Sequence, residues 1–199
     1  MPARPRPQPP HGRSERLAYV FFHRPRRDVP RVTYERALGR FHERLARHSP
    51  AGFRESASFR IPAAPWVESR ARPVYVDWYL VDGFRVLDTI REIAYLPPWV
   101  RSHRAIAHLA SDGWGSIYAG PRGAGPPRSG DRLLWFSSDL RPRFDSTRSG
   151  GGDAGKGTLW RRQLALGPGP EFAWATREPA AGGWERAAEV SATQFVFPR

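Results

Sequence analysis

The sequence predicts an α+β fold: a split β-α-β-β-α-β unit with one added helix over residues 17–120, then a β-rich extension over 121–199 that packs on the first unit. Three observations carry the prediction. Short β-rich or alternating runs are interrupted by segments of helical periodicity. Glycine and proline clusters fall between those runs. Aromatic residues make up 13% of the chain and include eight tryptophans, enough to build a core rather than a disordered chain.

Residues 1–16, MPARPRPQPPHGRSER, read as a disordered Arg/Pro-rich arm. They lack the apolar stretch of an export signal. Leu17-Ala18-Tyr19-Val20-Phe21-Phe22 is the first strand, ended by His23 and the turn around Pro25. Thr33 is placed to cap a helix running to about His48. Tyr34, Ala37, Leu38, Phe41 and Leu45 form its apolar stripe, and Glu35, Arg36, Arg40, Glu43, Arg44 and Arg47 its solvated face. Past Ser49-Pro50-Ala51-Gly52, Phe53, Ala57, Phe59 and Ile61 alternate with Arg54, Ser56, Ser58 and Arg60 as a half-buried strand.

Pro62 to Pro73, with Trp66, reads as a loop. Val74 to Val81 is the strongest strand. Val74, Val76, Trp78 and Leu80 share one face, and Tyr75, Asp77 and Tyr79 share the other. Asp82 is placed to cap a second helix with Phe84, Leu87, Ile90 and Ala94 on one face, broken at Pro97-Pro98. A shorter helix is expected from about Ser102 to Ser111, then a strand over Gly115 to Ala119. In the extension, Leu133 to Ser137, Phe172 to Thr176 and Thr193 to Phe197 read as strands, whereas Thr158 to Leu166 fits strand or short helix. Residues 121–131 and 145–157 read as loops.

This order is that of a ferredoxin-like unit whose helices cover one face of an antiparallel sheet. Leu-Ala-Tyr-Val-Phe-Phe-His followed by an amphipathic helix, then Val-Tyr-Val-Asp-Trp-Tyr-Leu-Val followed by another, resembles one half of the dimeric α/β barrel superfamily. That superfamily includes antibiotic-biosynthesis-type monooxygenases, EthD-like proteins and haem-handling relatives. The resemblance is topological and covers about half the chain. It implies barrel-like packing, either in a homodimer or within one chain, and a ligand between sheet and helices or inside the barrel. It carries no catalytic residue onto a numbered position.

Composition removes several classes. Cysteine is absent, so there is no disulfide, cysteine metal site or thiol nucleophile. No Gly-x-Ser-x-Gly elbow occurs. No apolar run approaches the length of a membrane span, and a cytoplasmic location is expected. The net charge of +13 is almost all arginine, because Lys156 is the only lysine. It concentrates in residues 1–31 (+6) and 121–162 (+5), while the best-patterned segment, 32–120, carries +3. That distribution fits coding bias and exposed loops better than a shaped polyanion groove.

The first and third strands are expected to lie side by side and parallel. Their residues Tyr19, Phe21, His23 and Tyr75, Asp77, Tyr79 are assigned to the sheet face away from the helices. Asp77 among aromatic rings is expected to have a raised carboxyl pKa. His23, Asp77 and Tyr79 are the candidate catalytic residues. Tyr19, Phe21, Arg60, Tyr75 and His103 are the candidate ligand contacts. The leading reading is a small-molecule-binding α/β-barrel protein, of a kind that includes cofactor-light enzymes of specialised metabolism. Whether the ligand is transformed stays open. A packed interface with no pocket would favour a non-catalytic interaction protein.

No cofactor is predicted, although a lone histidine, His103 or His23, stays open as a haem ligand. His103 and His108, and His42 and His48, are spaced wrongly for two metal ligands on one helix face. Residues 150–158 nearly match a phosphate-binding loop, but Gly157 stands where a hydroxyl is needed. Trp135 and Trp160-Arg161-Arg162 place aromatics beside arginines, so a nucleic-acid or polyanion binder is the runner-up. The aromatic strand motif of RNA-recognition domains is missing at Gly52-Phe53-Arg54-Glu55-Ser56.

Overall fold

A computed structural model describes residues 16–61, 66, 73–137, 157–177, 188–191 and 194–197. The arm before Arg16, most of the loop around Trp66 and the glycine-rich segment 150–156 lie outside the described residues. The elements follow in the order β1 (Arg16–Pro25), α1 (Arg31–Arg47), β2 (Phe53–Ile61), β3 (Val74–Val81), α2 (Phe84–Ile93), α3 (Val100–Leu109) and β4 (Ala110–Gly120). The extension adds β5 (Arg132–Phe136), β6 (Gly157–Ala165), β7 (Phe172–Thr176), β8 (Ala188–Ser191) and β9 (Gln194–Phe197). The ambiguous segment is therefore a strand, paired with β4 on one side and β7 on the other.

The strands form one sheet in the order β8-β5-β7-β6-β4-β1-β3-β2-β9. Its centre, β4-β1-β3-β2, is the ferredoxin-like order, with one helix between β1 and β2 and two between β3 and β4. β1 and β3 are neighbours but antiparallel, pairing Tyr19 with Tyr79, Phe21 with Asp77 and His23 with Tyr75. This corrects the parallel pairing expected from sequence. The crossover through α1 lays β2 parallel to β1 but one strand apart, and β3 returns antiparallel to both in the gap between them.

The sheet curls on itself. Three strands separate β5 from β1 in the sheet, yet the Trp135 ring lies 5.5 Å from Phe22 and 6.1 Å from Trp78. Val20, Phe22, Val76, Trp78, Leu80, Trp135 and Trp160 fill this curled interior. The extension thus covers the inner face of the first unit within one chain.

The helices cover the opposite face, and its residues are Tyr19, Phe21, His23, Tyr75, Asp77 and Tyr79. The expected assignment of faces is reversed. All eight residues of β3 are buried, so alternation in that strand carries no sign of which side faces helices and which faces the curl. β2 shows the same ambiguity: a register shift between Phe53 and Glu55 turns Phe53 toward the helices, while Ala57, Phe59 and Ile61 face the interior.

Two caps also differ from expectation. α1 begins after Pro30, whose fixed φ starts the helix without a side-chain bond, and Thr33 lies inside the first turn. α2 begins after Gly83, because the Asp82 carboxylate is held by Arg54 instead.

Candidate functional site

A cavity of about 630 Å³ lies between the sheet and the three helices. β1, β3 and β4 form its floor, and α1, α2 and α3 its walls. Its volume is in the range of sites for drug-sized ligands. The middle is apolar, with Leu38, Phe41, Ile90 and Ile106 among the lining residues. Glycines let the floor lie flat. A Cβ added at Gly115 would fall 2.6 Å from the Tyr19 ring, and one at Gly113 would fall 2.4 Å from Phe21. Small residues on β4 therefore give these two rings room to lie across the neighbouring strand.

One end of the cavity is polar and buried. The Tyr34 hydroxyl, on the first turn of α1, lies 2.5 Å from His23 Nδ1. His23 Nε2 lies 3.1 Å from Asp77 Oδ2. The Tyr79 hydroxyl donates to the same oxygen at 2.7 Å. Asp77 Oδ1 faces His42 Nε2 at 3.3 Å, and His42 Nδ1 meets the Ser56 hydroxyl at 2.8 Å. The two imidazole–carboxylate contacts are close charge contacts rather than well-aligned hydrogen bonds. If Ser56 donates to His42 Nδ1, the remaining N–H of that ring faces Asp77. Stacking fixes both imidazoles: His42 lies on Tyr79 at 5.3 Å, and His23 lies between Phe21 and Tyr75.

The electrostatics follow from this geometry. Burial pushes the Asp77 carboxyl up, but the facing His23 and His42 imidazoles reverse that and hold it below the usual carboxylate range. The raised pKa expected from sequence is corrected on this point. Aromatic burial is present, but the carboxylate also has cationic-capable partners on both oxygens. Burial first, and the Asp77 charge second, push the Tyr19 hydroxyl up to about 12 and also raise Tyr34 and Tyr79 well above the ordinary phenol value. These tyrosines stay protonated and serve as donors at neutral pH.

His23, Asp77, Tyr79, Tyr19, Phe21 and His103 all line the cavity. Tyr75 and Arg60 do not; both engage Glu35, through a 3.0 Å hydrogen bond and a 3.5 Å ion pair. Tyr34 and His42 are members of the buried polar cluster that sequence reasoning does not single out. Tyr34 was counted as apolar stripe and His42 judged only as a metal ligand. Yet residues 34, 38 and 42 follow the i, i+4, i+8 rule, so His42 sits on the buried stripe beside Leu38.

His23 Nδ1 meets the Tyr34 hydroxyl, and Nε2 faces the Asp77 carboxylate. His103 keeps Nδ1 without a partner among the described residues. No group of three or more described His, Asp or Glu side chains is arranged to hold a metal ion. Trp135 and Trp160 point into the curled interior, so neither offers a surface ring to a nucleobase. Among the described residues no helix is long and apolar enough to cross a membrane.

No protein-family model matches the chain, and no curated protein sequence matches it. Solved structures do. A protein of Fusobacterium nucleatum provisionally named a monooxygenase aligns at a TM-score of 0.54 and 7% identity, over 92% of this chain and 94% of its own. A structure provisionally named chlorite dismutase gives 0.47 and 14%, over 87% and 84%. A dimeric protein of Bacteroides fragilis, described as having a ferredoxin-like fold, gives 0.38 and 13%, over 52% and 95%. The strand order and the Fusobacterium alignment define the fold of this chain as ferredoxin-like α+β.

Proposed function

We propose that this chain binds a flat, largely apolar small molecule bearing an acidic hydroxyl, and handles the proton of that hydroxyl. One observation carries the reading: the cavity ends on a buried Tyr34–His23–Asp77 chain of contacts. His23, Asp77 and Tyr79 are its polar core, as the sequence proposes, but Tyr34 is the group that meets the ligand. Both His23 nitrogens are engaged, so a ligand reaches that base through the Tyr34 hydroxyl.

The step is a proton relay. The ligand hydroxyl gives its proton to Tyr34 Oη as the Tyr34 proton passes to His23 Nδ1. The other ring proton stays on His23 Nε2, facing Asp77. One proton has moved from ligand to His23, leaving a ligand oxyanion beside an imidazolium–carboxylate pair. Asp77 stays anionic and stabilises that imidazolium. The relay needs only residues of this chain, consistent with a cofactor-light enzyme or a binding protein. The monooxygenase name of the Fusobacterium neighbour accords with small-molecule chemistry on this fold, though at 7% identity only the fold is shared.

The test is calorimetric titration with 2-naphthol and with naphthalene. The hydroxylated probe is expected to bind at least tenfold more tightly to wild type, and Tyr34→Phe is expected to remove that advantage while naphthalene binding persists. Equal affinity of the two probes for wild type would refute the polar-end reading.

A further inference from the structure

The helix layer sorts its charge. Arg36, Arg40, Arg44 and Arg47 on α1 and Arg101 and Arg104 on α3 are all exposed. None of them has an ion-pair partner among the described residues. Glu43 is the only acid on the outer faces of these two helices, because Glu35 is turned to Arg60 and Tyr75. Acids elsewhere in the unit are engaged: Asp82 with Arg54, Asp88 with Arg91, Asp112 with Arg24 and Glu55 with Arg128. The net charge of +3 over residues 32–120 therefore conceals a concentrated basic surface.

Helix stability does not account for this placement. Arg36, Arg40 and Arg44 follow one another at i,i+4, where like charges repel. Arg101 lies at the second position of α3, near the positive end of the helix dipole, with no acid in that first turn. Only Arg44 and Arg47 stand in a last turn, where the dipole favours them.

Two exposed apolar side chains lie at one end of this surface. α1 and α3 run antiparallel: His48, past the last turn of α1, meets Trp99, just ahead of α3, at 6.3 Å, and Phe41 meets His103 at 5.9 Å. That brings the Arg44 and Arg47 end of α1 beside the start of α3, with Arg101 and Arg104. The corner between α2 and α3 enters at the same point. Tyr95 touches His103 at 5.5 Å, and the Leu96 carbonyl accepts from the Trp99 and Val100 N–H groups. Tyr95 is 64% exposed and Leu96 53%. A tyrosine and a leucine held out of the core among arginines without ion-pair partners match the interface of an anionic membrane. There the apolar side chain enters the acyl boundary, the phenol stays at headgroup level and guanidinium groups meet phosphates. A nucleic acid would use the arginines but offers nothing to Leu96.

We propose that this end of the helix layer docks on the surface of a membrane rich in anionic lipid, with Leu96 and Tyr95 at headgroup depth and Arg44, Arg47, Arg101 and Arg104 on lipid phosphates. The contact is peripheral, since among the described residues no helix is long and apolar enough to cross a membrane. Docking needs no ligand in the cavity, so it stands or falls apart from the function proposed above.

The experiment is co-sedimentation of the full chain with vesicles of phosphatidylcholine alone and of phosphatidylcholine mixed with phosphatidylglycerol. Binding is expected to the mixed vesicles only, and is expected to weaken as salt is added. Arg101→Gln combined with Arg104→Gln is expected to weaken it by more than about tenfold, at about fivefold for each arginine, and to flatten its salt dependence. Leu96→Ser is expected to weaken it about fivefold and leave the salt dependence unchanged. No binding to mixed vesicles overturns the proposal. Undiminished binding in either variant also overturns it, because the binding then belongs to arginines elsewhere in the chain. Single-stranded RNA that binds the full chain and is lost in the arginine variant, with no vesicle binding, would make this a nucleic-acid surface instead. Circular dichroism of each variant checks that the fold is kept, so a loss of affinity is not a loss of structure.

Discussion

The two faces of the central sheet share strands but follow opposite rules. On the curled interior, Val76, Trp78 and Leu80 meet Trp135 and Trp160 in a filled core. On the helix side, Asp77 and Tyr79 of the same strand meet a cavity and a chain of polar contacts, and Tyr75 stacks on His23 beside them. One face is packed to hold the molecule together. The other keeps space, and its buried polar groups face one another at the Tyr34–His23–Asp77–His42 end. The candidate site sits where packing is incomplete, and stability is expected to be concentrated on the filled face.

Substitutions can separate the two faces. Trp78→Ala is expected to cost about 4 kcal/mol in urea denaturation, since a large ring leaves a cavity that rigid neighbours cannot fill. Asp77→Asn is expected to cost about 2–3 kcal/mol, because it weakens one hydrogen bond and two imidazole contacts to a buried anion. The wild type has a folded Asp77 pKa below the unfolded value near 4. Its contribution is therefore present above about pH 4 and lost as pH falls below it, and Asp77→Asn is expected to flatten the acid limb of the stability curve. At the other extreme, Tyr19 has a folded pKa pushed up to about 12. The neutral form is favoured in the fold, so that contribution is present below about pH 10 and lost as pH rises toward 12. Phenolate absorbance followed together with unfolding checks it.

Ile90→Ala, on a helix that buries none of its side chains fully, is expected to cost about 1 kcal/mol or less. If it matched Trp78→Ala, the helix face would be as tightly packed as the interior, and the contrast would fail. Arg161→Ala, on an exposed position of β6, is expected to change stability by less than about 0.5 kcal/mol. It also tests the runner-up reading. Gel-shift binding of single-stranded DNA that falls steeply with salt and weakens in this variant would favour a polyanion surface.

Much of the fold was legible because periodicity and breakers are local. The α1 stripe from Tyr34 to Leu45, the strand at Val74–Val81 and the break at Pro97-Pro98 all follow from spacing. Which face of β3 meets the helices was not legible, because both faces are buried and the covering strands lie more than fifty residues away. His23, Asp77 and Tyr79 were recognisable as polar residues within aromatic strands. Their partners Tyr34 and His42 were not, because their role depends on how α1 is laid across β1 and β3. Local pattern does not mark the strand Ala188–Ser191, and Thr158–Leu166 fits two states, since each depends on pairing with a distant strand.

The most direct test of where function lies is amide NMR of the wild-type chain titrated with 2-naphthol. Perturbations confined to Tyr34, His103, Ile90, Ile106 and their neighbours, with β5 and β7 silent, are the predicted result. Perturbations centred on Trp135 and Ala173 in the curled interior, or saturating binding that leaves Tyr34 and His103 unmoved, would contradict it.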